Sequence, residues 1–431
     1  MIELWKGEKL AKTANSLFFY KKGRARIGSV PTPYDILYRN AGKQGRWNVA
    51  VKPLVVGLCP SDMAGGMLEF PPSSTRSLSD PKNPAVAGHE FVGQVIAVSK
   101  TARDELRRKG ILLGDLVAGD INVGCGFCSQ CRRGDPAAYC LRGATFAGVG
   151  SSPHGVDWVQ RQTGRSHVPG AYTEGFIVLP ASNIHKVPRK AVKNVNALAL
   201  FCQADAVACA KTSCDTMGLT TFKEMRSFDN PSVLVIGAGR LGTWHVAVIK
   251  DILPNAQIFV ADIKKANLKS VASLFGIPKN RQYHVRGKHP FSRKHIENAL
   301  GKNKFFDFII DTAGHGVLTG RTITEILLSS VAPGGKFWTT SHTGISGVDA
   351  GHPMILLGSK SFGNGLSPQN NFPYAVDFLT KYAKLYIRCL AELPNGLADK
   401  GLARIIATGG SEHKRKASGI IFYSIVNQSN L

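Results

Sequence analysis

A two-domain α/β protein, with one domain built on a doubly wound parallel sheet and the other β-rich, is the fold predicted for this chain. Three observations carry the prediction. An apolar strand pattern runs into a glycine-spaced turn and then a helical pattern at Val233–Lys250. Strand and helix patterns then alternate with short connections as far as Thr340. The chain has 431 residues, too many for one ordinary domain, so two domains with a core each are expected.

The first element to justify is the glycine turn. Val233 to Ile236 are apolar throughout, as in a strand buried on both faces of a parallel sheet. Gly237, Gly239 and Gly242 follow as G-x-G-x-x-G, with Arg240 and Leu241 between the second and third glycines. The first glycine permits a tight turn, the second lets the backbone approach a pyrophosphate, and the third lets the helix pack on the strand. The helix N-terminus then faces the phosphates. A second apolar strand, Ile258–Ala261, ends at Asp262, 20 residues beyond Gly242, where a carboxylate meets the adenosine ribose hydroxyls. A lone G-x-G-x-x-G is weak evidence; strand, turn, helix, strand and acid in this order make the Rossmann dinucleotide-binding pattern. Beyond it, Ala266–Phe275 is amphipathic, Phe305–Gly314 is a buried strand ending in a glycine turn, and Arg321–Val331 reads as a helix. Pro333–Gly335 reads as a turn and Lys336–Thr340 as a strand.

Before this region, residues 1 to about 85 read as β-rich with long loops around a short strand, Trp47–Val51. A separate apolar strand from Val55 breaks into a loop carrying Cys59, Ser61 and Asp62. Gly88-His89-Glu90 leads into an alternating strand that contains Gly93, so His89 and Glu90 stand at a strand entrance where side chains can turn toward a cleft. A lone histidine is ordinarily a satisfied core or surface residue. Three potential ligands on neighbouring loops change that balance.

Nine cysteines are present, and four of them fall between Cys125 and Cys140. Cys125, Cys128, Cys131 and Cys140 are spaced C-x2-C-x2-C-x8-C, close enough for one lobe to wrap a tetrahedral Zn²⁺ in four thiolates with no open position. Such closure suits a structural staple rather than catalysis. A zinc ribbon that binds nucleic acid is the other reading of the motif, but it has no partner motif here. Residues 143–169 read as an irregular insertion anchored by Trp158; Gly170–Pro180 and Ile184–Pro188 return to strand character. Asn196–Lys211 reads as a helix with Cys202 near its start, where the dipole favours a thiolate. Thr220–Asn230 reads as a linker. In the tail, Tyr374–Leu385 is helical and Gly419–Ser424 is a last strand.

Composition bounds the function. Hydrophobic residues make up 43% and charged residues 19%, as in a globular protein, and no run of about eighteen apolar residues marks a membrane span. The first residues carry an early acid and no apolar core of a secretory signal, so a cytoplasmic location is expected, with the clustered cysteines serving metal rather than disulfides. The formal charge of +25 invites a nucleic-acid reading, but the basic residues are scattered without interleaved aromatics. A generally basic surface is preferred to a dedicated nucleic-acid site. A phosphorylated or acidic substrate lies between the two.

Taken together, Gly88-His89-Glu90, the four-cysteine lobe, the Gly237–Gly242 turn and the strand at Lys336 resemble, in their order, the zinc-dependent medium-chain dehydrogenases, which include alcohol, polyol and sugar dehydrogenases. The resemblance covers roughly residues 47–424. It implies a GroES-like β-rich catalytic domain, residues 1–198 with 366–431 returning to it, around a Rossmann domain at 199–365. It implies Cys59, His89 and Cys202 as ligands of a catalytic Zn²⁺, with Gln203 a competitor to Cys202 for the third position. Glu90 resembles the acid beside the metal, Ser61 the hydroxyl that hydrogen-bonds the substrate oxygen, and Asp62 the acid that orients a ligand from behind. Cys125, Cys128, Cys131 and Cys140 match the structural-zinc lobe, with one residue more before Cys140 than the family's usual seven. Ala64 stands where alcohol dehydrogenases place a relay histidine. Asp262 matches the acid that goes with NAD, although Lys264 and Lys265 beside it leave NADP possible. A homo-oligomer, dimer or tetramer, is also implied.

The expected function is zinc-dependent hydride transfer between NAD and a secondary alcohol such as a polyol, sugar or cyclitol, with no membrane partner. The substrate class rests partly on Gly363–Val376, which resembles the segment after the nucleotide domain in glucose dehydrogenases. The alternatives are an NADPH-dependent carbonyl reductase of a biosynthetic pathway and, from another class, a basic zinc-stapled protein that keeps the fold and binds nucleic acid.

Overall fold

In a computed structural model the described residues are 2–21, 24–42, 45–59, 62, 84–135, 137–147, 153–165, 167–220, 230–285, 300, 305–313, 331–340, 355–357, 360–364, 370–387 and 422–423. The chain divides into two compact units: Met1–Asp205 with Gln369–Ala417 and Ile421–Leu431, and Ala206–Pro368 with Ser418–Ile420.

The first unit is built on a seven-stranded sheet. Its main path runs Ile177–Leu179, Val49–Gly57, Phe91–Ser99, Leu116–Gly119, Ile184–Lys186, with Ile2–Leu4 paired to Phe91–Ser99 and Phe422–Tyr423 paired to Val49–Gly57. All these pairings are antiparallel. A three-stranded sheet of Arg24–Pro31, Thr13–Lys21 and Ala85–Val86 accompanies it. Val49–Gly57 is one strand, not the two pieces expected from the sequence. Pro53 cannot donate to a ladder, and it is tolerated because the register shifts between Pro53 and Val55. Opposite it stands Gly93, where a Cβ would lie 2.5 Å from the Lys52 carbonyl oxygen, so only glycine permits that approach. The Phe91–Ser99 strand is buried at every position except Gln94, so the alternation expected there is absent and both faces are covered.

Two further expectations change. The stretch read as an irregular insertion contains a helix, Pro153–Thr163, whose first residue is the proline that favours a helix start. Its Trp158 packs beside Trp47, ring centroids 6.3 Å apart, in the core of this unit. The segment around Cys202 is a helix, Val195–Leu200, capped by the Asn194 side chain accepting from the Ala197 N–H at 2.8 Å, then a 3₁₀ turn, Phe201–Gln203, then a helix, Ala204–Thr216. Cys202 therefore has helical turns ahead of it and does not stand at a free N-terminus. The tail returns as the helix Phe372–Tyr386.

The second unit is a seven-stranded sheet ordered Gln282–His284, Gln257–Asp262, Ser232–Ile236, Phe306–Asp311, Val331–Thr339, Lys360–Asn364, Ile355–Leu357, parallel except for the last strand. Ser232–Ile236 is buried at all positions, as its unbroken apolar pattern requires. The helices Arg240–Ile252 and Lys265–Phe275 follow the first two strands in sequence. Pro333–Gly335, expected to be a turn, instead lies within the strand Val331–Thr339 as an irregularity: Phe306 pairs with Val331 but Phe308 with Lys336, and Gly334 takes φ +77°. Val331 belongs to that strand, and the rest of the helix expected at 321–331 lies outside the described residues, as does most of the linker 220–230.

Candidate metal and dinucleotide sites

The end of one strand and the start of its neighbour build the first site. Val49–Gly57 delivers Cys59 two residues beyond its last position, while His89 and Glu90 immediately precede Phe91–Ser99, its antiparallel partner. The Gly57 N–H donates to the Glu90 carbonyl oxygen at 2.6 Å, and a Cβ on Gly57 would lie 2.7 Å from Glu90 Oε2. Cys59, His89 and Glu90 bring one ligand atom each to within 4.8 Å of one another.

Asp62, fully buried, organises this cluster. Its N–H donates to the Cys59 carbonyl oxygen at 3.0 Å, closing the turn that carries both. Its Oδ1 accepts from the Gly88 N–H at 3.2 Å and lies 3.0 Å from His89 Nδ1. The Tyr172 hydroxyl reaches the Gly57 carbonyl oxygen at 3.0 Å and Asp62 Oδ2 at 3.3 Å. Tyr172 is held there by backbone pairing, its N–H donating to the Ala87 carbonyl oxygen at 3.0 Å. Burial alone pushes the His89 pKa down, but the charges of Asp62 and Cys59 outweigh it and hold it well above the usual imidazole value. Burial, reinforced by Asp62, Glu90 and Cys59, raises the Tyr172 hydroxyl.

These residues fit a metal ion. A histidine whose Nδ1–H is given to a carboxylate keeps the Nε2 lone pair for a metal, and Cys, His and Glu are ordinary zinc ligands that leave a fourth position open. Cys202, expected as a ligand, is buried, and its thiol donates to the Val55 carbonyl oxygen at 3.2 Å. Among the described residues it does not join the group of Cys59, His89 and Glu90. Ser61 and Ala64 lie outside the described residues. Tyr172 belongs to the site and carries no motif of its own.

The four cysteines of the lobe come together in the fold. The sulfurs of Cys125, Cys128, Cys131 and Cys140 lie within 4.8 Å of one another, and those of Cys128 and Cys140 are 3.7 Å apart. Tetrahedral zinc with bonds near 2.3 Å sets its sulfurs about 3.8 Å apart. Backbone N–H groups of Cys125 and Arg142 point at Cys140 Sγ, and that of Cys128 at Cys125 Sγ, as thiolates require. For Cys128, burial is outweighed by backbone and thiol hydrogen bonds, which pull its pKa down to about 6; burial raises Cys131 and Cys140. The donor set fits a structural zinc ion.

In the second unit the strand order places the glycine turn at the point where the chain reverses direction across the sheet, between Ser232–Ile236 and Phe306–Asp311. Gly237 takes φ +94°, and a Cβ there would lie 2.8 Å from Thr312 Oγ1. A Cβ on Gly242 would run into the Gly237 carbonyl oxygen. Gly239, by contrast, has nothing within 4 Å of such a Cβ, so the protein leaves open the space a pyrophosphate would occupy. Arg240 and Leu241 open the helix that follows. Asp262 ends its strand with its carboxylate accepting from the Ala238 N–H at 2.7 Å, the Lys264 N–H at 2.6 Å and Asn267 Nδ2 at 3.2 Å, so the acid also fixes the glycine turn.

A β-rich unit with a Cys/His/Glu cluster and a four-thiol lobe, continuous with a Rossmann unit, is the architecture of the zinc-containing alcohol dehydrogenases. Comparison with known proteins agrees. Residues 45–189 match the alcohol dehydrogenase GroES-like domain. The L-threonine 3-dehydrogenase of Cronobacter sakazakii is 26% identical over 231 residues, 54% of each chain, so the chain spans about half the length of the curated relatives it matches. A protein of Escherichia coli described as a short chain alcohol dehydrogenase, complexed with NADH, superposes with TM-score 0.64 at 19% identity, covering 96% of this chain and 100% of the other. Galactitol-1-phosphate dehydrogenase of Escherichia coli gives TM-score 0.62 at 18% identity, covering 95% and 99%. At those identities the structural likeness is one of fold. Residues 45–189 thus match the alcohol dehydrogenase GroES-like domain, and the chain resembles zinc-binding dehydrogenases in fold. Among the described residues no helix is long and apolar enough to cross a membrane.

Proposed function

We propose that the protein transfers a hydride between a secondary alcohol and NAD, with Zn²⁺ held by Cys59, His89 and Glu90. The observation that supports it is the cluster of three ligand types within 4.8 Å, with His89 and Glu90 buried, Cys59 half-buried and the histidine oriented by Asp62. Zn²⁺ held there would supply Lewis acidity at the alcohol oxygen, and NAD⁺ bound at the glycine turn would be the hydride acceptor. The chain's own part is positional. Asp62 holds the His89 ring, Gly57 keeps room for the Glu90 carboxylate, Ser61 takes the hydroxyl proton onward, and Gly239 leaves the backbone open to the pyrophosphate. Asp262 is a buried carboxylate at the end of its strand and disfavours a 2′-phosphate, which supports NAD over NADP. Cys125, Cys128, Cys131 and Cys140 hold the second, structural zinc.

For the substrate we propose a polyol, sugar or cyclitol, with an anionic group favoured by the +25 charge. The names of the relatives, a threonine dehydrogenase and a polyol-phosphate dehydrogenase, agree on a hydroxyl-bearing and charged substrate. The clustering of cysteines in metal-ligand spacing rather than disulfide pairs is in keeping with a cytoplasmic setting, and a homo-oligomer remains part of the proposal.

Metal analysis with a scan of alcohols against NAD⁺ and NADP⁺ tests this reading. Cys59→Ser is expected to lower zinc from about two ions per chain to about one and to abolish turnover while NADH still binds. A Cys59→Ser protein with unchanged rate and metal content overturns the assignment.

A further inference from the structure

The four-cysteine lobe has an outer face that metal binding would not explain. Among the described residues eight large hydrophobic side chains are exposed, and three of them, Phe127 at 49%, Tyr139 at 51% and Leu141 at 55%, stand in this one lobe. Buried large side chains are the rule for a soluble unit, and a concentration of exposed ones marks a contact surface. Arginines are set among them. The Arg142 guanidinium lies 5.2 Å from the centre of the Phe127 ring, and the short helix Ser129–Arg133 ends in Arg132 and Arg133, both exposed. Arg133 is paired with Asp135, which leaves the positive charge of Arg132 and Arg142 uncompensated by any ion pair among the described residues.

We propose that this face binds single-stranded nucleic acid, with Phe127 and Tyr139 as stacking platforms and Arg132 and Arg142 as phosphate contacts. Exposed aromatic rings and guanidinium groups in one lobe, with Arg142 set against the Phe127 ring, are the elements that hold an unpaired strand without regard to base sequence. The charge of the whole chain, +25, selects a polyanion and opposes a second copy of the same basic lobe as occupant. The sequence hides the patch because no basic run is interleaved with aromatics; the four-cysteine lobe brings Phe127 beside Arg142 although 15 residues separate them.

The experiment uses the full-length zinc-loaded protein and fluorescein-labelled oligo(dT) and oligo(U) of about 15 nucleotides at near-physiological salt, read by anisotropy. Phe127→Ala/Tyr139→Ala and Arg132→Glu/Arg142→Glu are each expected to weaken binding about tenfold or more. Arg107→Glu/Arg108→Glu makes the same charge change on another helix and is expected to change it less than about twofold. Photo-crosslinking of the unaltered protein to a bromouridine oligonucleotide is expected to label residues 126–142, a readout that does not depend on any variant folding. Equal loss in the control pair reduces the effect to bulk charge and overturns the proposal. So does absence of binding, or crosslinks confined to other segments. Lobe variants that dissociate an oligomer or release an acidic protein while oligonucleotide binding is unchanged show instead that the face is a protein interface.

Discussion

Asp62 is the residue on which the Cys59–His89–Glu90 cluster depends, although it is not among the three proposed ligands. It closes the turn behind Cys59, accepts from Gly88 and faces His89 Nδ1, all while fully buried. Asp62→Asn keeps the shape and removes the charge that makes the imidazole a strong donor to a metal. Zinc affinity at this site is expected to fall about 10–100-fold, measured by chelator competition, with the four-thiolate lobe remaining loaded; unchanged affinity excludes the orienting role. His89 and Glu90 were readable because they follow a glycine at a strand entrance, and Gly88, at φ +96°, is indeed where the chain turns. Tyr172 was not readable. It lies far along the chain, in a stretch without a motif, and reaches Asp62 only because its backbone pairs with Ala87. Cys202, implied as a ligand by the family resemblance, places its thiol against the Val55 carbonyl oxygen, a contact that its sequence position does not reveal.

Among the elements, the glycine turn separates two kinds of requirement. Gly242 is demanded by the protein itself, since a Cβ there meets the Gly237 carbonyl oxygen, whereas Gly239 is open to space that only a ligand fills. Gly242→Ala is therefore expected to cost about 1–3 kcal/mol of stability as well as NADH binding. Gly239→Ala is expected to fold with an unchanged Tm and lose affinity alone. Thermal denaturation beside an NADH fluorescence titration checks the pair, and a destabilised Gly239→Ala protein defeats the distinction. Regular spacing made this element legible. Val49–Gly57 was divided by Pro53 because a proline signals a break unless the ladder shifts to accommodate it, and a register shift is a property of the partner strand, not of the local residues. The helix Pro153–Thr163 was masked by Gly155 and by polar residues on its outer side, although Pro153 marked its start.

At the scale of the whole chain, the return of the tail to the first unit is a long-range pairing that periodicity cannot reveal. Phe422–Tyr423 adds to Val49–Gly57 across most of the sequence, at the end of the strand that delivers Cys59. Only the resemblance to a family anticipated it. The charge of +25 is likewise a property of no single element. The Lys and Arg residues that carry it are scattered along the sequence, so its effect on an incoming substrate is a long-range field. Such a field acts on association and is screened within about 10 Å at 0.1 M salt, but extends about 30 Å at 0.01 M. With NAD⁺ saturating, kcat/KM for a phosphorylated polyol is expected to fall roughly tenfold between those salt concentrations, while that for the same polyol without phosphate changes less than about twofold. Because the field acts before the bound complex forms, kcat is expected to stay level for both. Stopped-flow or initial-rate measurements across ionic strength decide the matter. Equal slopes for the two substrates mean that the basic surface does not steer substrate and that its charge serves some other contact.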